Sequence, residues 1–196
     1  MNVQLILAGV GGQGILFATR IFSETALAQG FPVIGSETHG MSQRGGSVIS
    51  HLKIGHYQSP LVRQGTADFV FAFDPAEAYR TLAFLKRGGV CFVNASPSRF
   101  PEASIKARLE EREIEVWVIN ADQIALSLDS PPSANVALIG FALSHPAVPF
   151  PYEGIKETIL RASGERFKEA NLKALEAGYE EGGRQQKEGE LGGHDA

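Results

Sequence analysis

The residues of this chain best equipped for chemistry gather in one short stretch, Ser36-Glu37-Thr38-His39-Gly40-Met41-Ser42-Gln43-Arg44-Gly45-Gly46, which holds a carboxylate, an imidazole, a guanidinium and three glycines. So many hydrogen-bonding groups with so little apolar content read as a shaped loop, and binding groups concentrate on loops held by a rigid scaffold. Arg44 followed by Gly45 and Gly46 offers a guanidinium fork and adjacent backbone N–H groups to a carboxylate or phosphate. The same residues also suit an internal ion pair between Glu37 and Arg44 that folds the loop, and the two uses are compatible. His39 suits either proton transfer near neutral pH or a structural hydrogen bond.

Upstream, Gly9-Val10-Gly11-Gly12-Gln13-Gly14 sets Gly9, Gly11 and Gly14 at G-x-G-x-x-G spacing. After a strand and before a helix, that spacing places an anion over the helix N-terminus. Glycines at such a turn are also chosen for tight backbone geometry and close packing alone. Gln13 adds an amide that either faces a ligand or closes the turn. Glu37 is the acid positioned where a ribose-binding carboxylate would sit in a dinucleotide fold. Of the remaining candidates, His51 alternates with apolar residues and reads as structural. Asp74-Pro75, with Glu77 and Arg80 after it, reads as a helix cap and its solvated first turns. No nucleophile-elbow spacing occurs, and the five histidines are scattered, so no metal site is expected.

The elements that must position these loops follow from periodicity. Val3 to Ala8 reads as a strand, Ile15 to Gln29 as a helix with Ile15, Ala18, Phe22 and Ala26 on one face, and Gly30 as its stop. Phe31 to Gly35 and Gly46 to Ile54 read as strands, so the polar loop joins two strands. Beyond them come a strand at Ala67 to Phe73, a helix at Pro75 to Leu85, a strand at Gly89 to Asn94, a helix at Ser104 to Arg112, a strand at Glu115 to Ile119 and a helix at Ala121 to Leu128. Strands alternating with helices predict an α/β fold with a largely parallel sheet covered on both faces. An apolar helix at Asn135 to Ser144, an extended arm fixed by Pro146, Pro149 and Pro151, and helices at Tyr152 to Ala162 and Glu165 to Glu180 complete the domain, taken as residues 1–181. Residues 182–196 are nearly free of apolar side chains and read as a disordered tail.

A chain of 196 residues suits one medium domain, and 43% apolar residues with a net charge of -4 exclude a dedicated nucleic-acid surface. Val3 to Val10 is too short to span a bilayer and runs directly into glycines, so neither a membrane span nor a cleaved leader is expected, and the chain is placed in the cytoplasm. The single cysteine, Cys91, rules out an internal disulfide and any iron-sulfur cluster held by this chain alone. Its apolar neighbours make it a core residue.

With Gly9 to Gly14 and the run from Gly35 to Val48, the chain resembles the gamma-type domain of the 2-oxoacid:ferredoxin oxidoreductases, nearest the beta subunit of the enzymes that act on indolepyruvate. The resemblance extends through Asp74-Pro75-Ala76-Glu77-Ala78 and the Asn135 helix to Asn171 through Tyr179. It implies a three-layer α/β/α sandwich and an accessory subunit, inactive alone, of a thiamine diphosphate enzyme. That enzyme decarboxylates a 2-oxoacid oxidatively, reduces ferredoxin and forms the acyl-coenzyme A. The resemblance also implies that thiamine diphosphate and the iron-sulfur clusters sit on a large catalytic partner, with coenzyme A as co-substrate and no cofactor bound by this chain alone. On it, Gly11, Gly12, Gln13, Gly14, Glu37, His39, Gly40, Gln43, Arg44, Gly45 and Gly46 are expected to face the substrate or coenzyme A pocket or the large subunit. Two other readings stay open, a stand-alone Rossmann-like nucleotide-binding protein and a purely structural assembly subunit.

Overall fold

The structure, a computed structural model, describes residues 1–39 and 45–192; of His39 and residues 189–192 only the backbone is described. The chain divides into two compact units, Met1–Asn120 and the remainder from Ala121 onward.

The first unit is a six-stranded sheet in the order β2-β3-β1-β4-β5-β6, with β1 at Val3–Val10, β2 at Val33–His39, β3 at Ser47–Ile54, β4 at Ala67–Ala72, β5 at Leu85–Asn94 and β6 at Glu115–Ile119. β1, β4, β5 and β6 are parallel, while β3 runs antiparallel to both β1 and β2. Alternation along each strand makes two apolar faces. On one, Phe22 of helix α1 (Ile15–Ala28) lies against Phe71 of β4 at 4.8 Å between ring centroids, and Phe71 meets Phe92 of β5 at 5.3 Å. On the other, Ile6, Ala8, Val70, Ala72, Cys91 and Val93 share a buried cluster with Ala78 of α2 (Pro75–Thr81) and Leu109 of α3 (Ala103–Glu111). The unit is therefore the three-layer α/β arrangement that the βα alternation predicts.

Cys91 is fully buried in this second face, and burial pushes its thiol up to about 12, as a core cysteine requires. His51 faces the same layer: its Nδ1 accepts from the Val62 N–H at 3.2 Å and its ring meets Phe84 edge-on. Burial, and then the Lys53 ammonium, holds its imidazole below the ordinary histidine value. A folded value below the unfolded one means that the stabilisation is complete above about pH 6.5 and is lost as pH falls through the lowered folded value. Urea denaturation at a series of pH values should show that slope, and His51→Gln, which still accepts from Val62, should flatten it.

The second unit is helical: α4 (Ala121–Ser127), α5 (Ala134–Leu143), α6 (Tyr152–Ala162) and α7 (Glu165–Gly192). Every residue of α5 except Ala134 is buried. Gly178 and Gly182 of α7 let that helix approach the α5 backbone so closely that a Cβ at Gly178 would stand 2.8 Å from the Ala137 carbonyl carbon. Ser130, Ser133, Ser163 and Asn171 form a buried hydroxyl and amide chain, with Ser133 Oγ donating to Asn171 Oδ1 at 2.7 Å and Asn171 Nδ2 donating to Ser163 Oγ at 2.9 Å. Among the described residues no helix is long and apolar enough to cross a membrane.

Three regions differ from the sequence expectation. The helix expected at Pro75 to Leu85 is α-helical only to Thr81, a 3-10 turn follows at Leu82–Phe84, and β5 begins at Leu85 rather than Gly89. β2 runs on to His39, so Ser36 to His39 belong to a strand paired with His51 to Val48 of β3. On an edge strand polar side chains remain solvated while the backbone gains a ladder. Helix α7 continues to Gly192, past Glu180 and through residues whose composition suggests a tail. Arg184 ion pairs with Glu181 at 3.3 Å, Gln186 Nε2 donates to the Ser144 carbonyl at 2.8 Å, and Gly182 packs against Phe141 and Ser144. Residues 193–196 lie outside the described residues.

Candidate functional site at the carboxyl edge of the sheet

β1 and its neighbour β4 send the helices that follow them to opposite faces of the sheet, and in open α/β sheets ligand sites lie at the carboxyl ends of such strands. The glycine turn and, from the second stretch, Gly45 and Gly46 come to this edge. In the glycine turn, Gln13 closes the structure: its Oε1 accepts from the Val10 N–H at 2.7 Å and its own N–H donates to the Val10 carbonyl at 3.0 Å. Gly9 is required for this closure, since a Cβ there would meet Gln13 Oε1 at 2.7 Å and Phe73 Cβ at 3.1 Å. Gly14, at φ 77, begins α1 without a side-chain cap.

The turn is tied to the hairpin base by the Gly11 N–H, which donates to the Gly46 carbonyl at 2.9 Å. Gly11 is also 3.7 Å, from its ideal Cβ position, to the Gly45 nitrogen. Gly11, Gly12, Leu16 and Gly45 are exposed together along this edge. The N–H groups of Val10, Gly11 and Gln13 are thus all donated within the protein. The strand order departs from the dinucleotide-binding arrangement. β3 lies between β1 and β2, so Glu37 stands two strand spacings, about 10 Å, from β1 rather than on the adjoining strand.

Behind the hairpin base lies a polar cluster that sequence reasoning missed. Asp74 caps α2 as expected, its Oδ1 accepting from the Ala76 N–H at 2.8 Å and the Glu77 N–H at 3.3 Å. Glu77 does not face solvent: it is 2% exposed, its Oε2 accepts from Ser47 Oγ at 2.7 Å, and its Oε1 accepts from Arg80 Nη1. The first residue of β3 is therefore clamped to α2. The one available signal is Glu77 three residues after a capping aspartate, where a carboxylate turns back toward the strand ends. Nearby, Asn94 at the end of β5 donates from Nδ2 to the Phe73 carbonyl at 3.3 Å.

The structure brings Gly11, Gly12, Gln13, Gly14, Gly45 and Gly46 together at this edge. Glu37 is set apart on β2, in a groove of about 380 Å³ with Thr19, Ser23, Ser36 and Ser50. His39 ends β2, and its side chain, like Gly40, Gln43 and Arg44, lies outside the described residues, as does the Glu37 to Arg44 ion pair. The described residues do not fit a resident cluster: the lone thiol is buried and protonated, and no group of three metal-ligating side chains occurs among them.

This arrangement defines an α/β domain whose carboxyl sheet edge presents backbone and a docked hairpin rather than an open nucleotide loop. A model of the pyruvate ferredoxin/flavodoxin oxidoreductase family matches residues 4–181, and the chain belongs to that family. It is 35% identical to indolepyruvate oxidoreductase subunit IorB of Archaeoglobus fulgidus over 91% of this chain and 94% of that one. Among solved structures it resembles the gamma subunit of a keto/oxoacid ferredoxin oxidoreductase from Geobacter sulfurreducens, with a TM-score of 0.73 at 23% identity over 93% of this chain and 99% of that one. It also resembles 2-oxoglutarate:ferredoxin oxidoreductase from Magnetococcus marinus, solved with 2-oxoglutarate, coenzyme A and succinyl-CoA, with a TM-score of 0.75 at 20% identity over 93% of this chain and 31% of that one.

Proposed function

We propose that this subunit of a 2-oxoacid ferredoxin oxidoreductase complex is the small accessory partner of a large catalytic subunit, and that the complex oxidatively decarboxylates indolepyruvate or another aryl pyruvate to its acyl-coenzyme A. In this reading thiamine diphosphate and the iron-sulfur clusters are held by the partner, which delivers electrons to ferredoxin. The observation that carries the reading is the glycine turn tied to the hairpin base: the Val10, Gly11 and Gln13 N–H groups donate to Gln13, Gly46 and Val10, and the side-chain-free edge of Gly11 and Gly12 offers close backbone approach to another protein. Identity to indolepyruvate oxidoreductase subunits along nearly the whole chain supports the substrate class.

Leu16 marks the contact. It is 47% exposed in the first turn of α1, beside the bare backbone of Gly11 and Gly12. Its apolar surface would leave water on contact with a partner. Leu16→Glu should leave thermal unfolding of the isolated chain unchanged and weaken binding to the large subunit about tenfold or more, read by sedimentation of the mixture. Unchanged binding would place the contact elsewhere.

A further inference from the structure

Between α2 and α3, on the sheet face opposite α1, lies a cavity of about 430 Å³ lined by Tyr79, Leu82, Ile105, Leu109, Ile114 and the exposed Arg108. Its size falls in the range of sites that enclose small organic ligands, and its character matches them: apolar walls with few polar groups. The walls are held in place. Tyr79 stacks on Phe100 at 4.7 Å and its hydroxyl accepts from the Glu102 N–H at 2.9 Å, which fixes the ring. Arg112, at the same cavity, donates Nη1 to the Leu82 carbonyl at 3.5 Å and Nη2 to the Leu85 carbonyl, so its guanidinium belongs to the frame. The Arg108 side chain has no hydrogen-bond or ion-pair partner among the described residues, which leaves one uncommitted guanidinium over an apolar chamber.

We propose that this cavity binds a small amphipathic monocarboxylate, with an aryl or branched alkyl group among Leu82, Ile105, Leu109 and Ile114 and its carboxylate on Arg108. A single planar guanidinium matches a carboxylate two hydrogen bonds at a time. A dianion such as a phosphate monoester would call for a second free cation, and Arg112 is already spent on backbone carbonyls. The site stands apart from the accessory-subunit reading, since α2 and α3 form it without the glycine turn or the hairpin.

The test is titration of the full-length, isotope-labelled chain with 3-phenylpropionate, followed by amide NMR shifts, beside its neutral analogue 3-phenylpropan-1-ol. The expected result is saturable shifts centred on Ile105, Leu109 and Ile114, with the alcohol and the Arg108→Gln variant each about tenfold weaker, the factor set by losing one charge-assisted pair. Arg108 is exposed, so that variant should keep the wild-type thermal midpoint. Ile105→Trp, which fills the chamber, should abolish the shifts. Equal binding of acid and alcohol, equal binding by wild type and Arg108→Gln, or no saturable shift up to the solubility of the acid would overturn the proposal.

Discussion

Gly178→Ala should unfold the C-terminal helical unit or leave it without a cooperative transition. The added Cβ would stand 2.8 Å from the Ala137 carbonyl carbon and 3.0 Å from the Phe141 nitrogen, both backbone atoms of α5. Backbone cannot rotate aside as a side chain can, so α5 and α7 would have to separate along their contact. Overpacking a tight core costs 1–3 kcal/mol when side chains absorb it, and with a helix backbone as the obstacle we expect about 3 kcal/mol or more. Gly140 repeats the device from the other helix, where a Cβ would lie 2.9 Å from the Leu175 carbonyl carbon. The control is Gly183→Ala on the same helix, where nothing lies within 4 Å. There the better helix former should stabilise the chain by about 0.5–1 kcal/mol. Urea denaturation followed by circular dichroism separates the two outcomes, and similar effects of both substitutions would contradict the packing account.

Glu77→Ala should produce the second large effect. The substitution removes a carboxylate that is 2% exposed and strands the Ser47 hydroxyl that donates to it. Arg80 is 65% exposed on its side chain, so the ion pair itself contributes little, and the cost lies in the buried acceptor. The expected destabilisation is about 2–3 kcal/mol. Hydrogen exchange should accelerate at Ser47 and Val48 and at Gly11, whose N–H depends on the position of Gly46. Glu77→Gln, which still accepts from Ser47 but sets an amide against Arg80, should fall between. Unchanged exchange at Gly11 would mean that the clamp does not hold the hairpin base.

These two effects also mark where the sequence was readable. The order of strands and helices was legible because short continuous apolar runs, as at Val3–Val10, mark strands buried on both faces, and apolar residues recurring near 3.6, as at Ile15–Ala28, mark helices. The meeting of the glycine turn with the hairpin was foreshadowed by the glycines themselves, and closure by Gln13 was one of its two readings. The extent of β2 was hidden because Ser36 to His39 look like loop residues, and only their pairing with β3 makes them strand. Glu77 looked solvated because a carboxylate after a helix cap usually is, and its burial depends on Ser47, 30 residues away in sequence. The packing role of Gly178 and Gly182 was not legible because the backbone that each glycine approaches is supplied by another helix.

The central claim is that this chain completes a catalytic partner rather than acting alone. The most direct measurement is anaerobic, coenzyme A-dependent reduction of a viologen dye with indolepyruvate, comparing the cluster-loaded large subunit, this chain, and the two together. The account predicts turnover only in the mixture. Full activity of the large subunit without this chain would contradict it.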